Sequence, residues 1–345
     1  MGVTGGDSVG ARSDSTASPH TTHGGNMKSI KAGLAVATGL LLLPGLAATA
    51  ASAAPASAPV AAVAASAATP KINGTLYYAK EQSGGLKFVS YRNGKQRTVL
   101  SGYPAYFAEF SPDGKRLAYV TGTGLLRVAN PDGTHVRKLT LKVAPVGFGP
   151  NWTANGKGLI VARKSDNKAG VVQISTGKFT ALPRSLQSKG IHYRMTGDGK
   201  RYLWSDGTGG IWSARVNGTG VTRVPVLGKF DRNNPKKLRA YDIVSTNRDG
   251  SRITVDLIKG DETDGDIGSG EVADTVINTK TGKVVALPVR GAVSQVLIQS
   301  NGTLLVRSGP ASKRVLTLVS AKGKVLATKA EPAALRNLTL RDYQS

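Results

Sequence analysis

Phe110-Ser111-Pro112-Asp113-Gly114-Lys115-Arg116-Leu117-Ala118-Tyr119-Val120 reads as the end of one strand, a tight reversal and a second strand. Asp-Gly is favoured in two-residue hairpin turns, where both central residues need positive φ. Upstream, Phe107, Glu109 and Ser111 alternate with Ala108 and Phe110. Downstream, 125–129 predicts a third strand, Pro131-Asp132-Gly133 another turn, and 136–141 a fourth strand. Four short antiparallel strands in roughly 40–45 residues make one propeller blade.

The same turn recurs as Asn73-Gly74, Asn155-Gly156, Asp198-Gly199, Asp249-Gly250 and Asn301-Gly302, with glycine intervals of 40, 42, 43, 51 and 52 residues. Thr176-Gly177-Lys178 before Leu182-Pro183 is echoed by Thr281-Gly282-Lys283 before Leu287-Pro288. Each unit has two apolar faces that only stacked neighbours can cover. The first unit has strands at 75–79, 86–91 and 97–100 but none before its turn, while 335–341 forms a lone alternating strand. Pairing 335–340 beside 75–79 closes the ring and removes its open edges. The expectation is an all-β, six-bladed β-propeller of four-stranded antiparallel blades, closed by the C-terminal strand in blade one.

The stretch 110–120 resembles the repeat of TolB-like six-bladed propellers, and Pro150-Asn151-Trp152-Thr153-Ala154-Asn155-Gly156-Lys157 is a softened copy of that family's Pro-x-Trp-Ser-Pro-Asp-Gly pattern. The likeness spans 72–341, weakens at Asp249 and Asn301, and lacks the family's separate amino-terminal domain. It implies the propeller fold and a tendency to bind proteins, and it carries no catalytic residues.

Met27-Lys28-Ser29-Ile30-Lys31, an apolar run over 32–50 and Ala51-Ser52-Ala53 read as a bacterial secretory signal peptide at 27–53, cleaved near Ala53. Residues 1–26 read as a polar extension ahead of an alternative translation start at Met27, 54–70 as an Ala/Pro/Ser linker without a packing pattern, and 71–345 as the propeller domain. Cleavage leaves a secreted chain with no membrane span, expected to be a monomer. The 345 residues contain no cysteine, which excludes disulfides, thiolate catalysis and cysteine-type zinc sites.

The chain carries a net charge of +25, and without residues 1–53 it keeps 43 basic against 19 acidic residues. Such a surface attracts anionic polymers of an envelope. The basic residues are spread along strands and turns, and aromatics make up 6%, which argues against specific nucleic-acid binding. Two insertions interrupt the repeat. One carries Lys229, Arg232, Lys236, Lys237 and Arg239, a candidate surface for an acidic partner. The other carries Asp261, Asp264, Asp266 and Glu271, weak candidate ligands for Ca²⁺ whose spacing misses the EF-hand pattern. His135 falls at an outer turn. His192 lies near a blade entry, a partner-binding candidate that also stands for a channel-mouth enzyme together with Glu109. Innermost strands offer Glu109, Trp152 and Asp242, and Trp152, Trp204 and Trp212 read as blade packing. No Gly-x-Ser-x-Gly elbow occurs. The expected function is an exported, non-enzymatic scaffold without cofactor that binds a protein or envelope partner through its loop face. The alternatives are an electrostatic binder of wall polyanions and a lyase- or hydrolase-type enzyme at the channel mouth.

Overall fold

The computed structural model describes residues 71–83, 85–144, 149–187, 190–206, 210–227, 238–259 and 272–345. Among the described residues six antiparallel sheets form a β-propeller, five of four strands and one, blade five, of three. Blade five has Leu238–Thr246, Arg252–Lys259 and Thr275–Asn278, and its outer position shrinks to a bridge between Ile277 and Val284. There Val289 N–H turns back to Leu287 O, and Pro288 has no N–H to extend a ladder.

Alternation along one strand builds two interfaces at once. In Thr75–Gln82, Leu76 and Tyr78 pack with Leu297, Leu305 and Leu316 of blade six. Tyr77 and Ala79 pack with Phe110, Leu117 and Tyr119 of blade two. A strand buried on both faces reads as a near-continuous apolar run, which is why Leu76-Tyr77-Tyr78-Ala79 shows no polar gap.

The ring closes as the sequence predicts, by an antiparallel strand beside Thr75–Gln82. That strand is Thr339–Gln344, with Thr75 opposite Gln344, so it begins later than the expected 335. Leu335 instead ends the 3-10 turn Ala333–Leu335 and is fully buried. Gly74 lies tight against the closing strand: a Cβ there would stand 2.1 Å from Gln344 O.

Closure is stapled by Arg307, only 1% exposed. Its Nε and Nη2 donate to Glu331 Oε2 at 3.0 and 2.9 Å, and Nη1 donates to Gln295 Oε1 and Leu338 O, both at 2.8 Å. Tyr78 Oη donates to Glu331 Oε1 at 2.8 Å, and Gln295 Oε1 accepts from Leu340 N–H at 2.9 Å. Blades six and one and the closing strand therefore meet in one satisfied buried network.

The recurring turn is not the two-residue type expected. In five of its six copies only the glycine takes positive φ, 66° at Gly114, while Gly74 does not; Gly114 N–H bonds Ser111 O and Ser111 N–H bonds Arg116 O. The result is a longer loop with an αL glycine. Ser111 Oγ donates to Asp113 Oδ1 at 2.6 Å and accepts from Arg116 N–H at 2.9 Å. Thr153 with Asn155, and Thr196 with Asp198, repeat this lock. Asn93 (φ 50°) and Gly94 (φ 80°) do make a two-residue turn with both residues at positive φ. A second difference precedes the first lock: Phe107 ends the 3-10 helix Tyr103–Phe107, with Pro104 in its first turn, leaving Glu109–Phe110 as the innermost strand of blade two.

Candidate functional site

The innermost strands are Thr339–Gln344, Glu109–Phe110, Asn151–Trp152, Ile191–Met195, Leu238–Thr246 and Val293–Ile298. A cavity of about 300 Å³ runs between them, with Glu109, Arg194, Asp242, Gln295, Arg341 and Asp342 in its wall.

Four of these strands carry bulges. Ile191 pairs with Ser205 and Arg194 with Leu203, so His192 and Tyr193 together oppose one residue. Ala240 pairs with Leu257 and Ile243 with Val255, which places the extra residue beside Asp242. Ser294 is extra between Val293 and Gln295, and Arg341 between Leu340 and Asp342. A bulge re-aims side chains that strict alternation would send into a blade interface. The polar lining of the channel is built largely this way.

Its charges are matched across blades. Arg194 Nη2 meets Glu109 Oε1 at 2.9 Å, and Arg194 Nε donates to Ile243 O at 2.6 Å. His192 Nδ1 lies 2.9 Å from Asp242 Oδ2, both side chains buried. The carboxylate is off the hydrogen-bonding direction, and neither ring nitrogen has an aligned partner. Asp242 Oδ1 accepts from Ile243 N–H at 2.6 Å. His192 also holds positive φ, 54°, an uncommon conformation for a residue other than glycine. Burial pushes the Asp342 carboxyl up to about 6, with the charge of Glu109 adding to the effect. Four side-chain carboxylates, Glu109, Asp113, Asp242 and Asp342, and two guanidinium groups line the cavity, an acidic excess inside a chain of net charge +25. Chemically, the channel offers a proton-exchanging carboxyl at Asp342 and a polar cavity. Among the described residues no three His, Cys, Asp or Glu side chains gather for a metal.

Of the residues expected to matter, His192 and Glu109 both belong to inner strands but are not brought together: Glu109 meets Arg194, and His192 meets Asp242. His135 is exposed at its outer turn, 2.9 Å from Asn130 Nδ2. Trp152 is core and donates to Glu109 O at 2.8 Å, and Trp204 stacks on Tyr193 at 5.5 Å. Trp212 is partly buried and donates to Asp206 Oδ2. Lys229, Arg232, Lys236 and Lys237, and equally Asp261, Asp264, Asp266 and Glu271, lie outside the described residues. Arg239 belongs to the strand Leu238–Thr246. Sequence reasoning missed Arg194, Arg341 and Asp342. Arg341 and Asp342 fall at and beyond the end given to the closing strand, and the bulge at His192-Tyr193 shifts the phase ahead of Arg194.

No protein-family model matches the chain, and no curated protein matches it. Solved structures do. TolB from Acinetobacter baumannii aligns with a TM-score of 0.51 at 15% identity, over 75% of this chain, which spans 64% of the length of that TolB. A TolB of Agrobacterium tumefaciens aligns at 0.42 and 18% identity, over 61% of this chain and 79% of that one. An oligogalacturonate lyase in complex with manganese aligns at 0.46 and 13% identity, over 74% and 73% of the two chains. The likeness is one of fold, a six-bladed propeller of the TolB-like kind.

Proposed function

We propose that this protein is an exported, non-catalytic TolB-like propeller that holds a protein or envelope partner on its loop face. The observation that carries the reading is the mutual engagement of the channel charges. Glu109 is paired with Arg194 across blades, and Asp242 accepts from Ile243 N–H and lies beside His192 of the neighbouring blade. Recognition then falls to connections, where rigid scaffolds keep their binding residues. Both long insertions, 228–237 and 260–271, fall in connections of one class, between blades or between second and third strands. The basic leader at Lys28 and Lys31 and its apolar run support export.

The test is a pull-down with the full chain and a variant with Lys229, Arg232, Lys236 and Lys237 changed to Ser, at low and high salt. A partner held at both salt levels and released by the variant supports the reading. Capture indifferent to the substitutions removes it. The surplus of basic residues favours a second reading, electrostatic capture of an anionic envelope polymer, whose binding would fall steeply with salt.

A further inference from the structure

A four-stranded blade reverses direction three times. The turns between its first and second strands, and between its third and fourth, come out at one end of the ring, and the blade-to-blade connections at the other. Seven glycine–lysine pairs occupy the former class of turn: Lys95, Lys115, Lys157, Lys178, Lys200, Lys283 and Lys324 each follow the turn glycine. All seven lysines are exposed. Arg92, Arg248, Lys280 and Lys322, also exposed, lie in the same turns. The acidic residues among these turns are Asp113, Asp132, Asp198 and Asp249, and each accepts hydrogen bonds within its own turn. Lysines dispersed along the sequence thus collect on one end of the molecule.

We propose that this turn face is a docking surface for an anionic lipid bilayer. The inference stands on the end of the ring opposite the loop face and does not depend on the reading given above for that face. Two observations select a bilayer over a soluble polyanion. Turns from the inner strands surround the axis and turns from the outer strands mark the rim, so the charges form a two-dimensional array that a plane can engage all at once, whereas a linear polymer would track a stripe. Exposed valines also flank the outer turns: Val136, Val216, Val221, Val284 and Val325, the exposure of Val284 reaching 51% beside Lys283. Lysines reaching lipid headgroups with short apolar side chains between them suit a membrane interface. A phosphate polymer gives the valines nothing to bury against.

Each lysine near an anionic surface contributes about fivefold to partitioning, and the attraction is screened by salt. The experiment is co-sedimentation of the full chain with vesicles of equal parts phosphatidylglycerol and phosphatidylcholine, against phosphatidylcholine alone. The turn-face variant changes Lys115, Lys157, Lys200 and Lys283 to Ser. The loop-face variant changes Lys164, Lys168, Arg184 and Lys313 to Ser, removing the same charge from exposed positions at the other end. Exposed substitutions preserve the fold, and matching melting curves verify it. The expected result is binding to the anionic vesicles, a loss on the order of several hundredfold in the turn-face variant and a much smaller loss in the loop-face variant. Val284→Ser with Val325→Ser weakens vesicle binding and leaves retention on inorganic polyphosphate unchanged. Equal losses from both charge variants, or no preference for anionic vesicles, overturns the proposal. Valine substitutions without effect on vesicles, with polyphosphate bound as tightly, overturns it in favour of a soluble polymer.

Discussion

Asp342 carries the clearest single-residue consequence of the channel. Its carboxyl titrates at about 6 in the folded chain because burial disfavours the charge, against about 3.9 unfolded. Between those values the folded state binds more protons, so this residue lowers stability as pH rises from about 4 to about 6. Asp342→Asn removes the effect. Urea unfolding at pH 4.5 and pH 7 should show the variant gaining on the parent with rising pH, by up to ~2 kcal/mol, less where channel water solvates the carboxylate. An advantage that does not change with pH would contradict the placement of Asp342. The turn aspartates act with the opposite sign. Thr134 and Ser251 bonds hold Asp132 and Asp249 below the usual carboxylate range. For Asp113 and Asp198 burial pulls upward but the bonds of the turn outweigh it. Their stabilisation is present above about 4 and lost in acid.

Among the elements, the clasp between blade six and the closing strand matters most. Glu331 is fully buried and faces both Arg307 and Tyr78. Glu331→Leu leaves the buried guanidinium without its counter-charge, with only neutral acceptors such as Gln295 Oε1 and Leu338 O, and should cost about 3–5 kcal/mol. Arg307→Met combined with Glu331→Leu should recover most of that loss, because the uncompensated charge goes with it. Equilibrium unfolding of the two variants decides the matter: a double variant as unstable as the single one would mean that the network works through shape instead of charge. The positions of the turns were legible at this scale, but their type was not: the two-residue hairpin expected at Asp113-Gly114 is a longer loop, locked by Ser111 with Asp113 and Arg116. The bulges were not legible. An inserted residue changes no local propensity, and only the partner strand reveals that His192 and Tyr193 share one opposite position.

At the scale of the molecule the ring stands or falls on Thr339–Gln344. Deleting residues 336–345 bares the edge of Thr75–Gln82 and takes Leu338, Leu340 and Tyr343 from the core between blades six and one. The truncated chain should melt at markedly lower temperature and self-associate through the exposed strand, as light scattering would show. A monomer with the parent's melting curve would mean that the interface does not close the ring. The sequence by itself determined the number of blades, the sites of reversal and the fact of closure, because alternation and turn chemistry are local and each unit repeats them. Tertiary structure alone decided which polar groups meet. Arg194 finds Glu109 at a separation of 85 residues, and register shifts carry Asp242 and Arg341 to the channel wall. It also decided that scattered lysines share one end of the molecule, because closing the ring points every turn of one class the same way.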